Sequence, residues 1–448
     1  MSHYVSYQAF NSDNFPEHWQ VRRLRFAIKL NPSKNEVPLS DSELVSFVPM
    51  DAVGEYGGIR LDEHKELGDI GSGYTYFRDN DVIVAKITPC FENGKGAIAK
   101  GLTNGCAFGT TELHVLRADL ELLDPDFMFY LTASDWFRDL GESEMYGAGG
   151  QKRVPEDFIK NLIVGIPPKE EQKAIIGFLE YKTAQIDSLI AKKQTLLDKL
   201  SEQSTALISQ AVTKGLDPTV SMKDSGVNWL GEVPEHWETW KVTHGFNRIG
   251  SGTTPKSDNP LFYDGNVPWV TTSELREDTI FDTSQKVTEE AVAQYSALKL
   301  YPKGSLAIAM YGATIGRLGI FGIDATVNQA CCVYSQPTVF DTRFVYYWLR
   351  MRKPILISLS NGGGQPNLSQ DDLKKLWIPI PDICEQQAIV QYLDKKVSQV
   401  EKRIEKVCLI IDKLNEYRSA LITNAVTGKI DVRNYMSSVS ATHSEAMR

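Results

Sequence analysis

The chain has 448 residues, 42% of them hydrophobic and 23% charged, a balance that supports more than one folded core and excludes wholesale disorder. A formal net charge of −9 argues against a free-standing DNA binder, because neutralising phosphates needs Lys and Arg in excess along one face. Local basic surfaces remain allowed, and partner proteins are expected to supply part of any grip on DNA.

No apolar run approaches the roughly 18–20 residues needed to span a bilayer. Residues 1–15 carry neither the basic nor the apolar stretch of a signal peptide. A cytoplasmic protein without membrane contact is expected. The six cysteines form no Cys-x-x-Cys and the seven histidines do not cluster with them, so buried free thiols are expected and no metal site.

In chain order, Pro16-Glu17-His18-Trp19 opens the first part. Residues 82–86 read as a short buried strand among Gly-rich turns, and 127–136 as an aromatic helix. The small-residue loop 147–153 suits either a hinge or a close backbone approach to phosphate. Ile166-Pro167 and then Glu171-Gln172-Lys173-Ala174-Ile175 lead into a long helix. Its apolar positions step by four and three through Ile186, Ile190, Leu197, Leu200 and Leu207 to Ala211, interrupted by Lys193 and Ser204. Gly215 and Pro218 then supply a stop.

The pattern then recurs. Pro234-Glu235-His236-Trp237 repeats the opening mark. Residues 305–310 read as a buried strand, 344–351 as an aromatic helix, and 361–365 as the second small-residue loop. Glu385-Gln386-Gln387-Ala388-Ile389 follows Ile380-Pro381, a constant 214 residues after its counterpart, as Glu171 and Glu385 show. The second helix has its stripe at Val400, Ile404, Val407, Ile411, Leu414 and Leu421, interrupted by Arg418. Two such heptad stripes predict a paired seam. A second domain inserted between them with close termini makes the pairing antiparallel. A duplicated unit is the natural source of this order.

This alternation of two variable regions with two conserved helices, together with the repeated Pro-Glu-His-Trp and Ile-Pro…Glu-Gln-x-Ala-Ile marks, resembles the specificity subunits of type I restriction–modification enzymes. The stretches 86–95 and 309–316, and Asn328-Gln329-Ala330-Cys331-Cys332, resemble that family's target recognition domains. The resemblance implies an α/β (α+β) fold of two globular recognition domains joined by two long helices in an antiparallel coiled coil, with a pseudo-two-fold internal repeat. The expected division is recognition domain one at 1–165, helix one at 166–216, recognition domain two at 217–379, helix two at 380–436, and a polar tail at 437–448.

It also implies a non-catalytic subunit that recognises a bipartite site in double-stranded DNA. Two modification subunits and two restriction subunits would be its partners, and S-adenosylmethionine, ATP and Mg would be bound by those partners. The residues agree with this. The single Pro-Pro, at Pro167-Pro168, fits a helix start better than a methyltransferase loop, and Gly94-Lys95 lacks the remainder of a P-loop. A two-headed DNA-binding regulatory protein and a coiled-coil adaptor are the competing functions.

Reading bases needs donors and acceptors in the major groove and basic contacts to phosphate. In the first domain the candidates are Lys86, Thr88, Asn93, Lys95, Thr110, Thr111 and Glu112. In the second they are Ser251, Thr253, Thr254, Thr271, Thr272, Ser273, Tyr311, Thr314, Arg317, Asn328 and Gln329. Asn328 and Gln329 suit adenine, and Arg317 suits guanine or phosphate. Such Thr and Asn residues also commonly close loops. His18-Trp19 and His236-Trp237 are expected to pack at the domain base, and Glu171 and Glu385 to cap their helices.

Overall fold

The computed structural model describes residues 15–71, 73–148, 150–358, 367–433 and 435. The tail 437–448, the loop 361–365 and Gly149 lie outside them. The chain divides into two compact units, one of residues 1–193 with 409–448 and the other of residues 194–408.

The first unit contains β1 (Gln20–Arg23), β2 (Ile28–Leu30), β3 (Leu44–Val48), β4 (His64–Glu66), β5 (Thr75–Arg78), β6 (Val82–Ala85), β7 (Gly96–Ile98), β8 (Cys106–Gly109), β9 (Leu113–Ala118) and β10 (Ile163–Ile166). One sheet has the order β2-β9-β6-β7 and another β4-β3-β8-β5, with β3 and β8 parallel; β1 pairs with β10. Strand β6 reads Val-Ile-Val-Ala and is buried throughout because both of its faces are covered. Val82 and Val84 enter one core while Ile83 and Ala85 enter another, the period-two alternation of a strand.

Helices α1 (Pro125–Ala133), α2 (Asp135–Ser143) and α3 (Glu156–Asn161) complete this domain. The single helix expected over 127–136 is instead two. Ser134 leaves the helical region at ψ 147°, and its hydroxyl accepts from Phe137 N at 3.2 Å, so it caps the start of α2.

Helix α4 (Lys169–Lys214) is 46 residues long, about 70 Å at 1.5 Å per residue. Its first half lies in the first unit and its second half in the other.

The second unit contains β11 (Met222–Asp224), β12 (Glu232–Pro234), β13 (Glu238–Lys241), β14 (Phe246–Ser251), β15 (Tyr263–Val270), β16 (Asp278–Ile280), β17 (Lys286–Val287), β18 (Leu306–Ala309), β19 (Leu318–Phe321), β20 (Thr326–Val327), β21 (Cys331–Pro337) and β22 (Trp377–Ile380). Its helices are α5 (Glu289–Gln294), α6 (Thr342–Ser358) and α7 (Gln370–Lys374). The pairings of the first unit recur here. The order β14-β21-β18-β19 repeats β2-β9-β6-β7, the parallel pair β15 and β20 repeats β3 and β8, and β13 with β22 repeats β1 with β10. Strand β18 also feeds two cores, Leu306 and Ile308 into one and Ala307 and Ala309 into the other. Strand β16 beside β19 is an addition without a counterpart among the described residues of the first unit.

Helix α8 (Ile383–Val426) is likewise shared between the units. Along the two helices Ile186, Leu200, Val400, Val407 and Leu421 are buried, and Ile190, Leu197, Leu207, Ile404, Ile411 and Leu414 are half-buried. Within the first unit the helices run antiparallel. Phe178 packs edge-on to Tyr435, beyond the end of α8, whereas Asp187, nine residues further along α4, pairs with Arg418. Within the second unit the end of α4 meets the start of α8, where Gly215 faces Glu385.

The helix starts hold a polar latch that occurs twice. His18 Nε2 and Trp19 Nε1 lie 2.7 and 3.1 Å from the Glu171 carboxylate, and His236 Nε2 and Trp237 Nε1 lie 2.9 and 3.0 Å from Glu385. The two glutamates therefore anchor the His-Trp marks, which corrects the capping role expected from sequence. The α8 cap at this position is Asp382, whose carboxylate accepts from Glu385 N.

The neighbouring glutamines are fully buried. Gln172 accepts from Asp124 N and donates to the carbonyls of Leu122 and Pro167. Gln386 does the same with Asp341 N, Val339 O and Pro381 O. Gln386→Ala would leave one amide and two carbonyls unpaired in the interior. We expect a loss of about 2–4 kcal/mol, checked by chemical unfolding; an unchanged midpoint would mean that water replaces the amide.

The cysteines correct another expectation. Cys106, Cys331 and Cys332 are buried and Cys90 is half-buried, but Cys384 and Cys408 are exposed on α8. Among the described residues no helix is long and apolar enough to cross a membrane.

Candidate nucleic-acid interface

In each domain the candidate residues gather at one end of the sheets, because the ends of β6 and β18 meet the starts of their antiparallel neighbours β7 and β9, and β19 and β21, while the parallel pairs β3 with β8 and β15 with β20 end on the same side. In the first domain Lys86 and Thr88 follow β6, Asn93 and Lys95 precede β7, Thr110 and Thr111 follow β8, and Glu112 precedes β9. In the second, Ser251 ends β14, Thr253 and Thr254 follow it, Thr271, Thr272 and Ser273 follow β15, and Tyr311 and Thr314 follow β18. Arg317 precedes β19, and Asn328 and Gln329 join β20 to β21.

Backbone hydrogen bonds give a residue-by-residue equivalence between the two ends. Lys86 N donates to Glu112 O as Met310 N donates to Ala330 O. Ala85 N reaches Lys95 O as Ala309 N reaches Arg317 O. Thr110 N reaches Val48 O as Asn328 N reaches Val270 O, and Val154 N reaches Lys86 O as Leu368 N reaches Met310 O. Lys86 thus matches Met310, Lys95 matches Arg317, Thr110 matches Asn328, and Glu112 matches Ala330. The backbone is retained while the side chains differ in size, charge and hydrogen-bonding character.

Several candidates are already engaged within the fold. Thr88 Oγ1 accepts from Lys152 N at 2.8 Å and bonds Lys152 O at 3.0 Å, so it ties down the residue before Arg153. Lys95 Nζ donates to Met50 O at 3.0 Å. Thr110 Oγ1 accepts from Glu112 N. In the second domain Thr271 and Ser273 close a turn on the Glu274 carboxylate. Burial alone would raise that carboxyl's pKa, but hydrogen bonds from Ser284 and Thr271 bring it below the ordinary value. Thr314 bonds Tyr311 O, Thr254 bonds Gln329, and Asn328 Oδ1 accepts from Ala330 N. Asn93, Thr111, Tyr311 and Arg317 are exposed, while Ser251, Thr253 and Thr272 are half-buried.

The geometry adds residues that were read only as part of a loop. Arg153 forms a bidentate pair with Glu112, Nε to Oε2 at 2.9 Å and Nη2 to Oε1 at 2.8 Å. The Arg153 guanidinium holds the Glu112 carboxyl below its usual range. Tyr146, 69% exposed, bridges to Arg153 through two backbone hydrogen bonds. Gly147 permits that short return: its φ is +150°, and a Cβ there would come 2.3 Å from the Gln151 carbonyl oxygen. Tyr146 and Arg153 thus pair with each other, and residues 152–154 bond to the stretch 86–88 that follows β6. The signal lay in the repeat, since the 214-residue offset of the conserved marks aligns Arg153 with Asn367.

Comparison with known proteins bears on these features. The family model for the type I restriction modification DNA specificity domain matches twice, at residues 58–198 and 234–407. The EcoAI specificity subunit of Escherichia coli is 34% identical over 230 residues, 51% of this chain and 38% of that protein. The match therefore spans well under half of that relative. A putative MjaX specificity subunit from Methanocaldococcus jannaschii is 25% identical over 95% of this chain and 99% of its own length.

Among solved structures, a chain from a study of complex assembly and conformational transition of the type I R-M system aligns with a TM-score of 0.73. It is 18% identical and covers 93% of this chain and 99% of that one. The HsdS subunit from Thermoanaerobacter tengcongensis aligns at 0.50 with 19% identity, over 93% and 98% of the two chains. These structural likenesses show the shared fold. With two matches of the family model across most of its length, and one strand order written twice, each copy followed by a long helix, this chain belongs to the type I restriction–modification specificity subunit family.

Proposed function

We propose that the chain selects a bipartite site in double-stranded DNA, one half-site for each recognition domain, and carries no catalytic step itself. The observation that carries this reading is the pair of equivalent sheet ends, alike in backbone and unlike in side chains. Two readers of one construction facing different base sequences would look like this. The recognition regions in this reading are residues 1–165 and 217–379, with 166–216 and 380–436 as the helices that join them and 437–448 as a tail.

Two modification subunits would bind S-adenosylmethionine and methylate adenine, and two restriction subunits would use ATP and Mg. The assembly would work in the cytoplasm. Partner subunits also account for DNA binding by a chain of net charge −9, because they add the phosphate contacts that this chain is too acidic to supply alone.

The test has two parts. The purified chain is expected to transfer no methyl group, and to direct methylation of one discontinuous sequence once its modification subunits are added. Exchanging residues 1–165 for those of a relative should then change only one half of the methylated sequence. Methyl transfer by the chain alone, or a change in both halves, would refute the proposal.

A further inference from the structure

Resting on the recognition reading above, we propose that Arg153, held in plane by Glu112, reads a guanine in the half-site of the first domain. An exposed Arg–Glu pair is ordinarily worth little and points in many directions. This one is built differently.

The Arg153 backbone is fixed on both sides, by its bridge to Ile87 and by two hydrogen bonds with Tyr146. Thr88 clamps the preceding residue through both its backbone and its hydroxyl. Val154, the next residue, donates to Lys86 O, and its carbonyl lies 2.9 Å from Nε2 of the buried His114. Lys152, Arg153 and Val154 are therefore locked before any DNA arrives, and little ordering entropy is left to lose on binding.

The mode of pairing decides what Arg153 can offer. Glu112 takes the Nε and Nη2 side of the guanidinium. Nη1 has no partner among the described residues, and the side chain is 41% exposed. The opposite edge, with one N–H from Nη1 and one from Nη2, remains free. Two parallel N–H donors on a plane of fixed orientation match the O6 and N7 acceptors of guanine in the major groove.

The duplicated domain gives independent support. Asn367 occupies the equivalent position, bridged to Tyr311 beside Met310 as Arg153 is bridged to Ile87 beside Lys86. The position equivalent to Glu112 is held by Ala330. The orienting carboxylate and the guanidinium are thus present together in one domain and replaced together in the other. Two domains that face different bases would differ in this way, with the planar fork present in one and absent from the other.

A guanidinium could instead hold a phosphate, and the test separates these. The chain assembled with its modification subunits is first used to define the wild-type site by mapping methylated adenines. Arg153→Ala and Arg153→Lys are then compared on DNA with the first half-site randomised. We expect Arg153→Ala to lose discrimination at one guanine position by roughly 5- to 150-fold. The second half-site and the salt dependence of binding should not change. Arg153→Lys keeps the charge but lacks the planar fork, so it should lose the same guanine preference; it also carries the test if the alanine variant fails to fold.

Uniform weakening across all sequences, with the salt slope reduced by about one and binding restored by Lys, would assign Arg153 to a phosphate and overturn the proposal. So would a first half-site without guanine, or unaltered discrimination in both variants. A wild-type complex that methylates without any sequence preference would instead bring down the recognition reading itself.

Discussion

Replacing Trp237 by Ala is expected to destabilise the second unit by about 3–5 kcal/mol, a large share of the 5–15 kcal/mol that holds a typical domain. The indole is fully buried in a core shared with Val233, Ile208 of α4 and Ile389 and Leu393 of α8. Its removal opens a cavity where the two helix ends and the domain base meet. It also strips Glu385 of one hydrogen-bond donor, leaving His236 as the other anchor of that carboxylate. Trp237→Phe keeps most of the volume and loses only the donor, so its cost should be markedly smaller. Thermal or chemical unfolding of the two variants separates the terms. Equal destabilisation by Ala and Phe would show that the hydrogen bond, not the packing, dominates.

Asp81→Ala is expected to cost the first unit a similar amount, about 3–5 kcal/mol, because it would take away the buried partner of a buried cation and leave only the more exposed Glu36 to pair with it. Arg117 donates Nε to Asp81 Oδ1 and Nη2 to Oδ2, each at 2.7 Å, and Nη1 to Glu36. Its side chain is only 10% exposed and that of Asp81 1%. Burial works against the Arg117 cation, yet the hydrogen bonds and charge of Asp81 more than offset it and hold the pKa above the ordinary arginine value. Asp81 also accepts from Arg78 N, so it pins the turn before β6. The double variant Asp81→Leu, Arg117→Leu removes both charges and should recover much of the loss. A double variant no more stable than Asp81→Ala alone would mean that the turn contact, not the loss of the buried carboxylate from Arg117, sets the penalty.

Much of the large-scale organisation was legible in the chain because conserved contacts leave fixed sequence marks. The latch needs His-Trp at one place and Glu-Gln at another in both copies, so the same letters recur at a constant spacing. Long helices announce themselves similarly, since a heptad stripe is a local pattern that needs no knowledge of distant partners. The burial of Trp19 and Trp237 at the domain bases followed from the same marks. Their attachment to Glu171 and Glu385 did not, because an acidic residue in a first helical turn reads equally well as a partner of the helix dipole.

Inside the variable regions, local pattern ran out. The stretch 127–136 is apolar enough to read as one helix, and only the backbone turn at Ser134 divides it. Asp81 and Arg117 meet because β6 and β9 are neighbours in a sheet, a pairing that no spacing of 36 residues reveals. The equivalence of the two sheet ends was hidden by drift in the offset. It is 214 residues for Arg153 and Asn367 but 224 for Lys86 and Met310, since loops between the strands gained and lost residues while the backbone pairing stayed.

The sequence by itself determined the duplication, the two long helices and the family resemblance, because those depend on contacts repeated in identical residues. Tertiary structure alone decided which side chains share a sheet end and which edge of Arg153 stays free. Strand pairing is set by backbone hydrogen bonds that almost any side chain permits, so those neighbours leave no pattern to read in the chain.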